Sequence, residues 1–317
     1  MHRTARATAV MAASTLAGVL ASGTAAAQQV PADMVNVEVR PDILETVSRQ
    51  LPESRAVGAE FLNESYYPSL RLDAASHLAI SYVNEGAGYR NAVGYFTYQD
   101  NAFDGYSFGD IDSNGSGNIT FREMQSVGAV SDIGVLFNNF SGSGSGGQLN
   151  TGDTMVIGGG TFAQDGDSWT MTGDKVFEAG TNVGFFLVAN GWNGSSVNSV
   201  DNNADNATYW SMDFLNPENS ADATVDDVSR DTRHLAMLNV SDANQVVVGF
   251  EDLNRNTGDN DFNDAVFIVR SDPATALQNS NIPKVSAAPA PALGAGVGGL
   301  AMAGLVGLAA FRRRKTG

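Results

Sequence analysis

Residues 249–264, GFEDLNRNTGDNDFND, set five carboxylates and four asparagines between two apolar runs, 246–248 and 265–269. The flanking runs read as strands, so the acids are confined to one short connection, where only Arg255 supplies local positive charge. Like charges held this close disfavour a compact chain unless something neutralises them. Two readings are open: a polar turn whose Asn and Asp side chains bond their own backbone, or a loop wrapped round a hard cation. Crowded carboxylate and amide oxygens on irregular backbone suit Ca²⁺, which takes roughly six to eight oxygen ligands.

The rest of the chain is written in the same style. Short runs rich in β-branched and aromatic residues, bounded by Gly, Asn and Asp, fall at 77–83, 92–98, 153–157, 183–189, 234–240, 245–250 and 265–270. The best helix candidate is 42–50, where Pro41 suits a first helical position and Ile43, Leu44, Val47 and Leu51 share one face. Strands without intervening helices predict an all-β fold, a two-sheet β-sandwich of jelly-roll-like type with a short N-terminal helix. Low-complexity stretches at 141–147, 190–206 and 216–231 mark loops, and no fixed-period repeat points to a solenoid or propeller.

Both ends carry targeting patterns. Arg3 and Arg6 precede a mostly apolar, Ala-rich stretch that closes on Ala25-Ala26-Ala27, so residues 1–27 read as a secretory signal peptide. Pro289-Ala290-Pro291 precedes twenty uncharged residues, 292–311, and then Arg312-Arg313-Arg314-Lys315. Such a segment is long enough to span a bilayer as a transmembrane helix, with its basic end on the cytoplasmic side. The organisation expected is therefore a signal peptide at 1–27, a β-sandwich domain at 28–270, a linker at 271–288 and a tail at 289–317. The tail resembles the PEP-CTERM sorting signal of Gram-negative bacteria, with Ala290 where the usual motif has Glu. That resemblance implies processing by an exosortase-like sorting enzyme and delivery to the cell surface or extracellular matrix. A retained membrane anchor is the alternative.

Six of the 18 basic residues and none of the 35 acidic ones lie in these two ends, which leaves a net charge of −23 between them. A surface so acidic repels nucleic acid, which is excluded as a partner. The chain has no cysteine, so its core, helped by bound metal, must hold the fold where other exported proteins use disulfides.

Several segments together resemble one family. The run VVVGFEDLNRNTGDNDFNDAVFIV at 246–269 is similar to the closing signature of the domain of unknown function 4114. NEGAGYRNAVGYFTY at 84–98, LFNNFSGSGSGGQLNTGDTM at 136–155 and VGFFLVANGW at 183–192 agree in order. The resemblance covers most of residues 50–270. It implies an exported bacterial protein with a Ca²⁺ site and brings no enzymatic activity. Carried over, the signature positions are Glu251, Asp252, Asp259, Asp261, Asn263 and Asp264, with Phe262 packed inward.

A second candidate site stands apart from that signature. Residues 112–123, DSNGSGNITFRE, match the twelve-residue EF-hand loop. Asp112, Asn114 and Ser116 take positions 1, 3 and 5, and Gly117 takes the turn. Asn118 offers its carbonyl, and Thr120 and Glu123 take positions 9 and 12. With two carboxylates only, the expected affinity is in the ~10⁻⁴ to 10⁻³ M range of extracellular modules. One flanking helix, 121–127, is expected, and Asp110 is placed to assist through water. A plain Gly-Asn-Ser turn between strands is the other reading.

Catalytic patterns are missing. His77 and His234 each open an apolar run, and the sequence has neither a Gly-x-Ser-x-Gly elbow nor an HExxH motif. The expectation is a non-enzymatic, calcium-binding structural or adhesive protein of the cell surface or matrix. A carbohydrate-binding module recognising extracellular polysaccharide or other cell-surface components is the alternative. Trp169, Trp192, Tyr209 and Trp210, in or beside polar loops, would be its stacking platforms.

Overall fold

The computed structural model describes residues 33–62, 64–65, 69–198 and 206–287. The expected signal peptide and sorting tail lie outside the described residues, and no helix among those described is long and apolar enough to cross a membrane.

The apolar runs pair into sheets. In chain order the strands are β1 (Val35–Asn36), β2 (Leu70–Arg71), β3 (His77–Asn84), β4 (Ala92–Tyr98), β5 (Val130–Phe137), β6 (Asp153–Val156) and β7 (Thr161–Asp165). They continue with β8 (Ser168–Thr172), β9 (Asn182–Val188), β10 (Thr208–Trp210), β11 (Leu235–Val240), β12 (Gln245–Phe250), β13 (Ala265–Asp272) and β14 (Lys284–Val285). A seven-stranded sheet runs β1-β6-β3-β13-β12-β11-β14, and a five-stranded sheet runs β10-β9-β4-β5 with β2 added on β9. β7 and β8 form a separate hairpin. Two-residue strands bound the larger sheet on both sides, and β5, the outer strand of the smaller one, slips register against β4 at two places.

Alternation along the strands shows why the molecule is layered. In β9, Val183, Phe185 and Leu187 join a cluster with Phe250, Phe267 and Val269 of the other sheet, while Phe186 and Val188 face the opposite way. Successive strand side chains point to opposite faces, so a strand apolar at every position must be covered on both. The cover on the five-stranded sheet comes from α2 (Phe108–Ile111) and α3 (Phe121–Ser126), which bring Phe108, Ile111 and Met124 against Phe96, Phe186 and Trp210. The cover on the seven-stranded sheet comes from α1 (Pro41–Gln50), whose Ile43 and Val47 pack with Leu238, Val266 and Ile268. Pro41 opens α1, with Asp42 in its first turn and Arg49 in its last, matching the helix dipole at both ends. Each large apolar side chain buried in these layers contributes about 1.5–3 kcal/mol.

The chain is mainly β with few helices, as expected, and seven of its strands and its first helix fall within a residue or two of the expected ranges. Three features differ. β1, β2, β5, β7, β8 and β10 are additional strands, and β5 carries Ser, Asp and Gly that break the apolar run. The stretch expected to be a linker is packed: β13 continues to Asp272, Leu277 and Ile282 sit in the inter-sheet cluster, and β14 pairs in parallel with β11. Finally, the aromatic platforms are inside. Trp192, Tyr209 and Trp210 are buried, and half-buried Trp169 donates its indole N–H to the Ser271 carbonyl.

Candidate metal centre

The signature loop joins β12 to β13 and closes one end of both sheets. Glu251 leaves β12 with its N–H on the His234 carbonyl, and its side chain is fully buried. Neither of its carboxylate oxygens has a hydrogen-bond partner. Glu251, Asp261 and Asp264 each offer an oxygen within 4.8 Å of the other two. Burying an unpaired carboxylate is costly, and three converging carboxylates multiply the cost unless a cation is shared among them.

The surroundings hold the cluster from both sheets and from the N-terminal segment. Asp264 Oδ2 accepts the Asp252 N–H at 2.8 Å, and Asp252 Oδ2 accepts the side-chain amide of Asn91 at 2.7 Å. Asn91 immediately precedes β4, and its Oδ1 accepts the Asn190 N–H just beyond β9, so this one amide ties the smaller sheet to the acidic loop. Asp261 accepts N–H groups from Ser54 at 2.7 Å and Asn263 at 3.1 Å, and Asn263 donates its side-chain N–H to Glu53. Asn263 Oδ1 is buried without a partner. Phe262 takes a φ of 59°, a left-handed conformation costly for a bulky residue, and its ring lies in the cluster beneath α1. The strained turn sends Phe262 inward while Asp261 and Asn263 stay with Ser54 and Glu53.

Electrostatics record the same strain. Burial, followed by the charge of Asp259, pushes Glu251 up to about 7. Burial likewise raises Asp252, Asp261 and Asp264. The local cation relieves this only in part, drawing Glu251 down by less than burial and Asp259 push it up. Arg255 lies over the Phe262 ring, bonds the Asn260 side chain, and is itself lowered by burial. Of the six signature positions, five are buried together and Asp259 is exposed at the rim.

Sequence reasoning missed the support. Glu85, pushed up to about 7 by burial, has a buried oxygen without a partner and feels the charge of Asp252. Glu85 and Asn91 both belong to the NEGAGYRN segment, whose family likeness was the available signal. Glu53 and Ser54 gave none. Gly86 makes a sharp test, because a methyl group there would sit 1.9 Å from Asn263 Oδ1. Gly86→Ala, which removes no acid and whose methyl group would press on Asn263 Oδ1 and, at 2.9 Å, on Glu53 Oε2, is expected to displace Asn263 and to reduce the difference in melting temperature between calcium and chelator.

The second loop is organised differently. Helices flank it on both sides, since α2 ends at Ile111 with Asp112 as its C-cap and α3 begins at Phe121; the expectation of a single helix is corrected. Asp112 accepts the Ser116 and Gly117 N–H groups at 3.0 and 2.8 Å, and Asn114 Oδ1 accepts the Ser116 N–H at 2.8 Å. Ser116 Oγ donates to the Asn118 carbonyl at 3.0 Å. Glu123 Oε1 accepts from Ser113 and Asn114, and its Oε2 accepts from Thr120, closing a capping box at the start of α3. The loop then docks on β10: Asn118 Oδ1 accepts the Thr208 N–H, and the Ile119 carbonyl accepts the Trp210 indole. Asp110 is drawn away, into a capping box with Ser107 on α2. The six expected positions are thus close together, with their carboxylates already hydrogen-bonded, whereas Glu251 has nothing.

Residues 177–272 match the family model of the Domain of unknown function (DUF4114). The matched segment holds β9 to β13 and the whole carboxylate cluster except its outer supports, Glu53, Glu85 and Asn91. It excludes the loop at 112–123. Neither the curated proteins nor the solved structures give a match. Among the described residues, two histidines are held structurally: His77 Nδ1 pairs with the Lys175 carbonyl, and His234 stacks on Tyr209 at 3.8 Å between the Glu251 carbonyl and Glu218.

Proposed function

We propose that this chain is an exported, calcium-binding β-sandwich with a structural or adhesive, non-enzymatic role at the cell surface or in the extracellular matrix. The observation that carries the reading is Glu251, fully buried, with two unpartnered carboxylate oxygens beside Asp261 and Asp264. The donor set there is all oxygen and sits on irregular backbone, which suits Ca²⁺ better than Mg²⁺, an ion that demands near-ideal octahedral geometry and sheds water reluctantly. The group would be held by Glu251, Asp261 and Asp264, with Asp252 and Asn263 beside them. Bound only by the folded state, it would stabilise that state by mass action.

The cluster is where the N-terminal segment, both sheets and the signature loop meet, so ordering it by an ion fastens the layers together. Export is supported by the basic and apolar patterns at the two ends, and the acidic surface disfavours nucleic acid as partner. An extracellular polysaccharide or other cell-surface component is the partner class that fits this setting, with an exosortase-like enzyme acting on the tail.

The test is calorimetric titration of Ca²⁺ into chelator-treated protein. Two classes of site are expected, one tighter than about 10⁻⁵ M that Asp261→Ala removes and one near 10⁻⁴ to 10⁻³ M that Asp112→Ala removes. Absence of binding heat together with an unchanged melting temperature would sink the proposal.

A further inference from the structure

β4 begins beside the carboxylate cluster at Ala92 and ends at Tyr98, about 20 Å away along a seven-residue strand. At that far end a cleft of about 730 Å³ opens, within the size range of cavities that hold small ligands. Its floor is apolar: Phe103 packs edge-on against Tyr98 at 5.3 Å and against Phe214 at 5.9 Å. Its wall is polar and ordered. Asp100 accepts from Arg71 Nη2 at 3.1 Å and from Asn182 Nδ2 at 2.8 Å, and the hydrogen bonds to Arg71, then to Asn182, hold its carboxyl below the usual range. The Arg71 and Asp100 side chains remain about half exposed, so their remaining polar atoms face the cleft.

We propose that this cleft binds a neutral sugar residue of a polysaccharide. A carboxylate, a guanidinium and an amide side by side present acceptors and donors at short spacing, the complement of neighbouring hydroxyls that each donate and accept. The apolar lining, where Ala102, Val225 and Val228 open to the cleft beside the buried rings, receives the C–H face of a pyranose ring. Asp104 and Asp226 on the rim add negative charge, which disfavours phosphates and uronic acids. The site does not depend on the calcium reading, and it places sugar recognition at the opposite end of the strand from the carboxylate cluster.

Saturation-transfer NMR on the full chain, with calcium present throughout, tests the assignment. The probes are glucose, galactose, mannose, xylose and N-acetylglucosamine at millimolar concentration, with spermidine as a cationic comparison. Transfer to the ring protons of at least one sugar is expected, and its loss in Asp100→Ala. Val228→Trp, at an exposed position on the lining, is expected to abolish the signal by filling the cleft, and it keeps the test decisive if Asp100→Ala fails to fold. No transfer to any sugar, transfer that survives in Val228→Trp, or transfer to spermidine alone would overturn it. Because calcium is never removed, failure here leaves the titration of the carboxylate cluster to be judged on its own.

Discussion

Chelation is expected to lower the melting temperature by about 5–10 °C at pH 8 and by much less at pH 5. An ion at a hundredfold excess over its dissociation constant stabilises the folded state by about 2.7 kcal/mol, and each kcal/mol moves the midpoint of a domain this size by about 2–4 °C. The pH dependence follows from Glu251, which burial pushes up to about 7 from an ordinary value of about 4.3. A carboxyl raised by folding favours the metal-free fold when protonated. That contribution is complete below about pH 4, declines as pH rises towards 7, and is lost above it, an effect of up to about 3–4 kcal/mol. Calcium held by the proposed site would compete with the proton for the same oxygens, so its stabilising effect is expected to grow over the same interval. Glu251→Gln keeps the volume and drops the charge. In chelator at pH 8 it is expected to melt above the wild type, and in calcium below it. Scanning calorimetry of both proteins in the four conditions checks this, and equal chelation shifts at pH 5 and pH 8 would refute it.

The second large effect lies in the layer outside the smaller sheet. Trp210 is fully buried, packs on Phe186 and Phe96 at 5.0 and 5.5 Å, and donates its indole N–H to Ile119 of the loop at 112–123. Trp210→Ala is expected to cost about 3–5 kcal/mol, read as a lower urea midpoint with little change in slope. Trp210→Phe separates packing from the hydrogen bond. It keeps most of the apolar contact and leaves the Ile119 carbonyl without its donor, at about 1–3 kcal/mol. The weaker class of calcium sites is expected to weaken further in that variant, because one of the two bonds by which β10 pins the loop is lost while Thr208 N–H still reaches Asn118. An unchanged weak class would mean that the loop is ordered without that bond.

How legible these features were follows from the physics of each signal. Strands such as β4 and β12 are dominated by β-branched and aromatic residues, carry no charge and are closed by turn residues, and their ends were read to the residue. β5 hides because an outer strand half open to solvent tolerates Ser131, Asp132 and Gly134. β10 hides because three residues carry no periodicity. The same asymmetry holds at the site. Glu251, Asp261 and Asp264 are close in sequence and stood out by charge, whereas Asn91 and Ser54 act across 161 and 207 residues through one hydrogen bond each. The tryptophans misled because loops rich in Gly and Asn suggest exposure, while the strand of Trp210 is roofed by α2 and α3.

The margins of the two sheets bear on how such a chain behaves when crowded. An open strand is a template for another chain, and long flat margins seed fibres. Here β1 and β14 offer only two residues each, β10 is occupied by the 112–123 loop, and β5 is thrown out of register twice against β4. Copies packed densely on a surface would therefore meet through side chains and loops rather than fuse strand to strand.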